Sequence, residues 1–211
     1  MKIIAITGRI ATGKSTILEQ FRFLGASTFS SDEMVNNIYN NDLEFFSKIT
    51  ELFPKAIEKE KINKKRLSDL VFNDYKALRE LENLIYPKLN IKRKEIIKSG
   101  LLNNNKLLIF EIPLLFEKKI NNIFNLIIST TCYNQLQKQR YLKRKDTSLE
   151  KFNFINNEYI EDSERFKNSD FTINTGNGLH HSLASIKKII KYYERNYFRY
   201  RNHRFKDRRW A

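Results

Sequence analysis

The chain has 211 residues, enough for one sizeable core with a subdomain, and a formal net charge of +15. A hydrophobic share of 41%, with 16 Phe and 10 Tyr, excludes an intrinsically disordered protein. No apolar run approaches the roughly 20 residues that span a bilayer. The single cysteine, Cys132, cannot form an internal disulfide, which fits a reducing cytoplasm; it reads as a small core residue. The first residues lack the charged region and small-residue cleavage site of a secretory signal.

In chain order, "KIIAIT" (2–7) is a short apolar run bounded by Gly8 and predicts a buried strand. Ile17, Leu18, Phe21 and Leu24 then recur at helical spacing, with Gly25 as the stop. "STFSSD" (27–32) predicts a short second strand. From Met34 to about Ser99 the pattern is helical. One stripe is Phe45, Phe46, Ile49, Leu52 and Phe53; a second is Leu67, Leu70 and Val71; a third, Leu78, Leu81, Leu84 and Ile85, is broken by Pro87 before helix resumes. Ser99-Gly100 and Asn103–Asn105 end it. "KLLIF" (106–110), "FNLIIST" (124–130) and "DFTIN" (170–174) predict three more strands, with a long polar helical region from about Asn134 to Lys167. Leu183, Ile186, Ile189 and Ile190 open a last helix. Strands alternating with helices imply a parallel sheet covered on both faces, the stretch 34–105 being an insert.

The stretch "GRIATGKST" (8–16) carries the chemistry. Gly8-x4-Gly13-Lys14-Ser15 follows a predicted strand and opens a predicted helix, the context a phosphate-cradling loop requires. Backbone N–H groups and the positive helix end face the anion. Lys14 can reach the β- and γ-phosphates, and Ser15 can place its hydroxyl on Mg²⁺. Arg9 and Ala11 stand where such loops often carry more glycine and need only avoid strained backbone angles. Arg9 is read as a surface side chain or as a phosphate contact.

Two acids sit at predicted strand ends, where an open parallel sheet places its site. Asp32 is placed to accept the proton of an acceptor hydroxyl, to hold a magnesium water, or to cap a helix. Glu111 resembles the acid closing a second nucleotide-binding motif, or orients the sheet edge; Asp32 is favoured for the chemistry. Arg140 and Arg144, four apart, are expected on one helix face, clamping phosphates or facing solvent.

The order of these motifs resembles dephospho-coenzyme A kinase. The pieces are the loop, Asp32, "LENLIYPKL", "EIPLLFE" (111–117), the R-x3-R-x-D run at 140–146 and "SDFTINTG", over roughly residues 1–190. The resemblance implies an α/β P-loop NTPase fold with a five-stranded parallel sheet flanked by helices. It implies a single kinase domain over 1–195, with a helical acceptor-binding insert (34–105) and a helical lid (136–166). It implies transfer of the ATP γ-phosphate to the ribose 3′-hydroxyl of dephospho-coenzyme A in the cytoplasm. Lys14, Asp32 and Arg144 match catalytic positions, Asp32 as a proposed general base. Gly8, Ala11, Thr12, Gly13, Lys14, Ser15, Thr16, Arg140, Asn174 and Gly176 form the ATP-binding set. Ser15, with Asp32 as the second candidate, takes the Mg²⁺. Arg9, Ser30, Tyr86, Asn125 and Tyr159 depart from the pattern, where Gly, Asp, His, Asp and Gln are usual.

The basic aromatic tail (196–211) is not explained by the resemblance. Its Arg and aromatic residues suit either nucleic acid or a packed helix. Two further readings are another small-molecule kinase on the same fold and an RNA-associated protein that keeps the loop.

Overall fold

The computed structural model describes residues 1–72 and 74–195, so the tail at 196–211 lies outside the described residues. The chain divides into two compact units, one formed by Met1–Phe29 with the chain from Asn105 onward, the other by Ser30–Asn104.

The first unit opens with β1 (Lys2–Thr7), α1 (Lys14–Phe23) and β2 (Ser27–Ser30), and resumes with β5 (Leu107–Glu111) and β6 (Leu126–Thr131). It continues through α6 (Asn134–Leu142), α7 (Leu149–Asn156), α8 (Asp162–Lys167), β7 (Phe171–Asn174) and α9 (Leu179–Arg195). The sheet order is β2-β5-β1-β6-β7. β1 sits centrally, parallel to both β5 and β6, and β6 is parallel to β7. Strands β1, β5 and β6 are buried along nearly their whole length, apolar in β1 and β5 except at their ends and turning to Ser and Thr in the second half of β6. On one face, Ile4, Ile6, Ile109, Ile128 and Ile173 pack with Ile17, Leu18 and Phe21 of α1 and Ile186 and Ile189 of α9. Each such side chain contributes about 1.5–3 kcal/mol on burial. This shared core sets the carboxyl ends of β1, β5, β6 and β7 along one edge, and the loop 8–13 begins there.

The second unit comprises α2 (Ser31–Asn41), α3 (Leu43–Leu52), a hairpin of β3 (Ile57–Glu58) and β4 (Lys61–Ile62), α4 (Lys64–Val71) and α5 (Tyr75–Leu102). Side chains cap three of its helices: Asp42 accepts from Phe45 N at 2.8 Å, Asn63 from Arg66 N at 3.1 Å and Asp74 from Ala77 N at 3.0 Å. The hairpin falls within a stretch expected to be helical. Its turn, Lys59-Glu60, has φ of +48° and +58°, the left-handed pair of a tight hairpin turn without its usual Asn-Gly.

One other expectation is corrected. Pro87 does not break the helix, because α5 runs through it for 28 residues. Both Pro87 and Asn83, whose carbonyl loses its helical donor, are exposed, so water can satisfy that group. The polar region 134–167 is helical as expected and divides into α6, α7 and α8. After α6, Thr147 Oγ1 donates to Arg144 O at 2.9 Å, Asp146 takes a φ of +56°, and Ser148 caps α7 by accepting from Lys151 N at 3.2 Å.

Candidate nucleotide site

Residues 8–13 turn away from the end of β1 and return as the N-terminus of α1. Gly8 has φ +147°, and a Cβ there would lie 2.4 Å from Thr130 Oγ1 and 2.6 Å from Thr130 O. Gly13 has φ +90°, and its Cβ would meet Thr175 Oγ1 at 2.8 Å. Both positions therefore require glycine on two counts, conformation and space. Ala11, expected only to avoid strain, instead adopts φ +59° and costs roughly 1–2 kcal/mol for it. Its methyl is buried against Tyr141 and Phe152, which offsets that cost.

A threonine network holds the loop. Thr12 Oγ1 lies 2.8 Å from Thr130 Oγ1 and donates to Arg9 O at 2.8 Å, and Thr175 Oγ1 donates to Thr12 O at 2.8 Å. Gln137 Nε2 donates to Ile10 O at 2.8 Å. Thr130, Gln137 and Thr175 were not singled out in the sequence. Each lies in a different element, and only tertiary structure gathers them.

Lys14 is buried at the start of α1, and its Nζ donates to Gly8 O and Arg9 O, both at 2.9 Å. Gly13 at the N-cap has no side chain to cap α1, and the first-turn N–H groups of a helix have no intrahelical acceptor. A glycine framework, a helix N-terminus and an ammonium in one loop form the donor set that polyphosphate oxygens need, so the residues present fit ATP. Thr16 is exposed in the same first turn.

Ser15 is exposed, and its Oγ donates to Glu111 Oε1 at 3.2 Å; Glu111 itself is buried at the end of β5. One hydroxyl and one carboxylate make an all-oxygen donor pair. No cluster of three or more His, Cys, Asp or Glu able to hold a metal occurs among the described residues. The oxygen pair fits Mg²⁺, a hard cation that takes oxygen ligands and keeps several waters and substrate phosphates. The carboxylate that meets Ser15 within this unit is that of Glu111.

Arg140 leaves α6 and donates to Thr175 Oγ1 at 2.8 Å and Thr175 O at 3.1 Å. Asn174 Oδ1 accepts from Gly176 N at 2.9 Å, shaping the turn after β7. Arg140, Asn174 and Gly176 therefore meet around Thr175, which is itself bonded to the loop. Arg144 does not share a helix face with Arg140: α6 ends at Leu142, and Arg144 lies exposed in the following turn. Burial pushes the Cys132 thiol up, against the pull of the Arg140 guanidinium, so the cysteine stays protonated and inert.

Asp32 belongs to the second unit and is exposed in the first turn of α2. The N-cap position is Ser30, so the capping reading of Asp32 is corrected; its charge instead complements the helix dipole. In the same unit Tyr86 donates its hydroxyl to Glu82 Oε1 at 3.4 Å. Asn125 accepts from Ile3 N at 2.8 Å through Oδ1, a bond an aspartate could make equally. The Tyr159 ring lies 5.6 Å from the Arg165 guanidinium. Arg9 is neither a free surface side chain nor directed at the phosphate cradle: it pairs with Glu161 and Asp162.

A family profile described as dephospho-CoA kinase matches residues 2–181. The dephospho-CoA kinase of Bartonella quintana is 38% identical over 191 residues, covering 90% of this chain and 97% of that one. A solved structure from Thermus thermophilus superposes with a TM-score of 0.73 at 26% identity, covering 90% of this chain and 97% of the other. The dephospho-CoA kinase of Campylobacter jejuni superposes with a TM-score of 0.61 at 27% identity, covering 90% and 96%. A family match over residues 2–181 and relatives alike along 90% of the chain place it: this chain belongs to the dephospho-CoA kinase family.

Proposed function

We propose that the chain transfers the γ-phosphoryl group of ATP to the ribose 3′-hydroxyl of dephospho-coenzyme A, giving coenzyme A and ADP. The observation that carries this reading is the loop 8–15 with Lys14 held at its mouth and Ser15 beside Glu111, in a chain of this family. The loop amides and Lys14 bind the donor phosphates and neutralise charge that builds during transfer. Ser15 and Glu111 would hold Mg²⁺, which when bound withdraws charge from the bridging phosphate oxygens. Asp32 accepts the proton of the attacking hydroxyl. Arg140 fixes the turn 174–176 beside the nucleotide, and Arg144 supplies a mobile positive charge near the phosphates. The single buried cysteine supports a cytoplasmic setting. No helix among the described residues is long and apolar enough to cross a membrane.

The test is an acceptor panel with the full chain, ATP and Mg²⁺. ADP should form with dephospho-coenzyme A and not with nucleoside monophosphates. ADP formation with a monophosphate alone would overturn the acceptor assignment. Glu111→Gln should raise the Mg²⁺ concentration for half-maximal turnover by about 10- to 100-fold, with turnover largely recovered at saturating Mg²⁺. An unchanged Mg²⁺ requirement in a magnesium titration would remove Glu111 from the metal site.

A further inference from the structure

The Arg9 side chain is 16% exposed, and its guanidinium faces one short segment at the α7–α8 junction. Its Nε lies 3.1 Å from Asp162 Oδ1, its Nη2 lies 3.5 Å from Glu161 Oε2, and Nη2 donates to Ile160 O at 3.3 Å. That segment is itself held firmly. Buried Arg165 pairs with Asp162 and donates to Ile160 O at 2.8 Å. Glu117, the last residue of "EIPLLFE", accepts from Ile160 N at 3.0 Å. So the guanidinium of Arg9 is bonded to a fixed point, not to a floppy surface loop.

The backbone of the same residue faces the other way. Arg9 O accepts from Lys14 Nζ at 2.9 Å and from Thr12 Oγ1 at 2.8 Å. One residue thus joins the 160–162 segment, through its side chain, to the ammonium of the phosphate loop, through its carbonyl. A loop held in its binding shape before the ligand arrives loses less entropy on binding.

We propose that Arg9 is a positioning residue for the donor half of the site: its pairing with Asp162 and Glu161 orients the carbonyl that holds Lys14, so the α7–α8 junction sets the loop's affinity for Mg²⁺-ATP. The proposal rests on residues 8–15 being the nucleotide loop. Arg9 acts without touching phosphate.

Mg²⁺-ATP binding to the full chain, measured by calorimetry without acceptor, tests it. Arg9→Ala and Asp162→Asn should each weaken binding by about fivefold, and the double variant should be no weaker than either single one. In the steady state the KM for ATP should rise by the same factor, with kcat and the acceptor KM within about twofold. A purely structural role would lower the thermal midpoint and leave this split absent. Additive losses would mean that Arg9 acts on phosphate independently of Asp162, and would overturn the proposal; so would unchanged binding by Arg9→Ala. Asp162→Asn also strips a partner from buried Arg165, so Arg9→Lys decides the matter if that variant does not fold. Lysine keeps the charge but not the fork, and full recovery by Arg9→Lys would overturn the proposal, whereas incomplete recovery supports it. If the parent chain itself fails to bind Mg²⁺-ATP, the nucleotide-loop reading falls; if it binds and Arg9→Ala binds equally, only the role of Arg9 falls.

Discussion

Lys14→Ala is expected to lower turnover with ATP and dephospho-coenzyme A by about 10³-fold in a chain that still folds. The reason lies in where the ammonium sits. It is buried at the start of α1 and donates to two carbonyls of the loop it closes, Gly8 O and Arg9 O. A positive charge held in a site of low dielectric acts strongly on developing negative charge and needs little reorganisation during the reaction. Alanine removes that charge and leaves the two carbonyls without this donor, a stability cost of about 1–3 kcal/mol. The α1 contacts of Ile17, Leu18 and Phe21 are untouched, so circular dichroism and thermal unfolding should report a folded protein. Turnover at the parental level would mean that residues 8–15 do not bind the donor.

The second large effect is expected at Asp32. Asp32→Asn should reduce kcat by about 100-fold or more, the range for removal of a general base, while the affinity for Mg²⁺-ATP changes by less than about twofold. Asparagine keeps the size of the side chain and removes its ability to take up a proton. Asp32 is exposed in the first turn of α2, so loss of its charge costs the helix only about 0.3–1 kcal/mol. Activity and stability should therefore separate cleanly. Single-turnover assays at saturating ATP measure the first, and thermal unfolding measures the second. A kcat unchanged by Asp32→Asn would place the proton acceptor elsewhere.

The contrast between these two residues mirrors how much the chain discloses by itself. Local patterning was sufficient wherever one stretch both formed an element and carried the chemistry. The apolar run 2–7, the glycine framework and the apolar spacing of 17, 18, 21 and 24 all lie within about 24 consecutive residues. Strand, loop and helix there follow from hydrophobic period and backbone freedom alone. Boundaries were less legible where a single polar residue decided them. Thr147 and Ser148 stop and restart the helices of 134–167, and Lys59-Glu60 turns a hairpin without a glycine. Pro87 misled for the opposite reason: a usual helix breaker is tolerated where water reaches the freed carbonyl.

The sequence by itself determined the parallel α/β class, the nucleotide loop and the family, because these rest on residues close together in the chain or on motifs in a set order. Tertiary structure alone decided that Ser15 meets Glu111, 96 positions away, and that Thr130 and Thr175 close on the loop. It also decided that Arg9 pairs with Asp162. Partners so distant in sequence are brought together by the β2-β5-β1-β6-β7 strand order, which sets strand ends from across the chain along one edge. No local periodicity encodes which of those ends will touch.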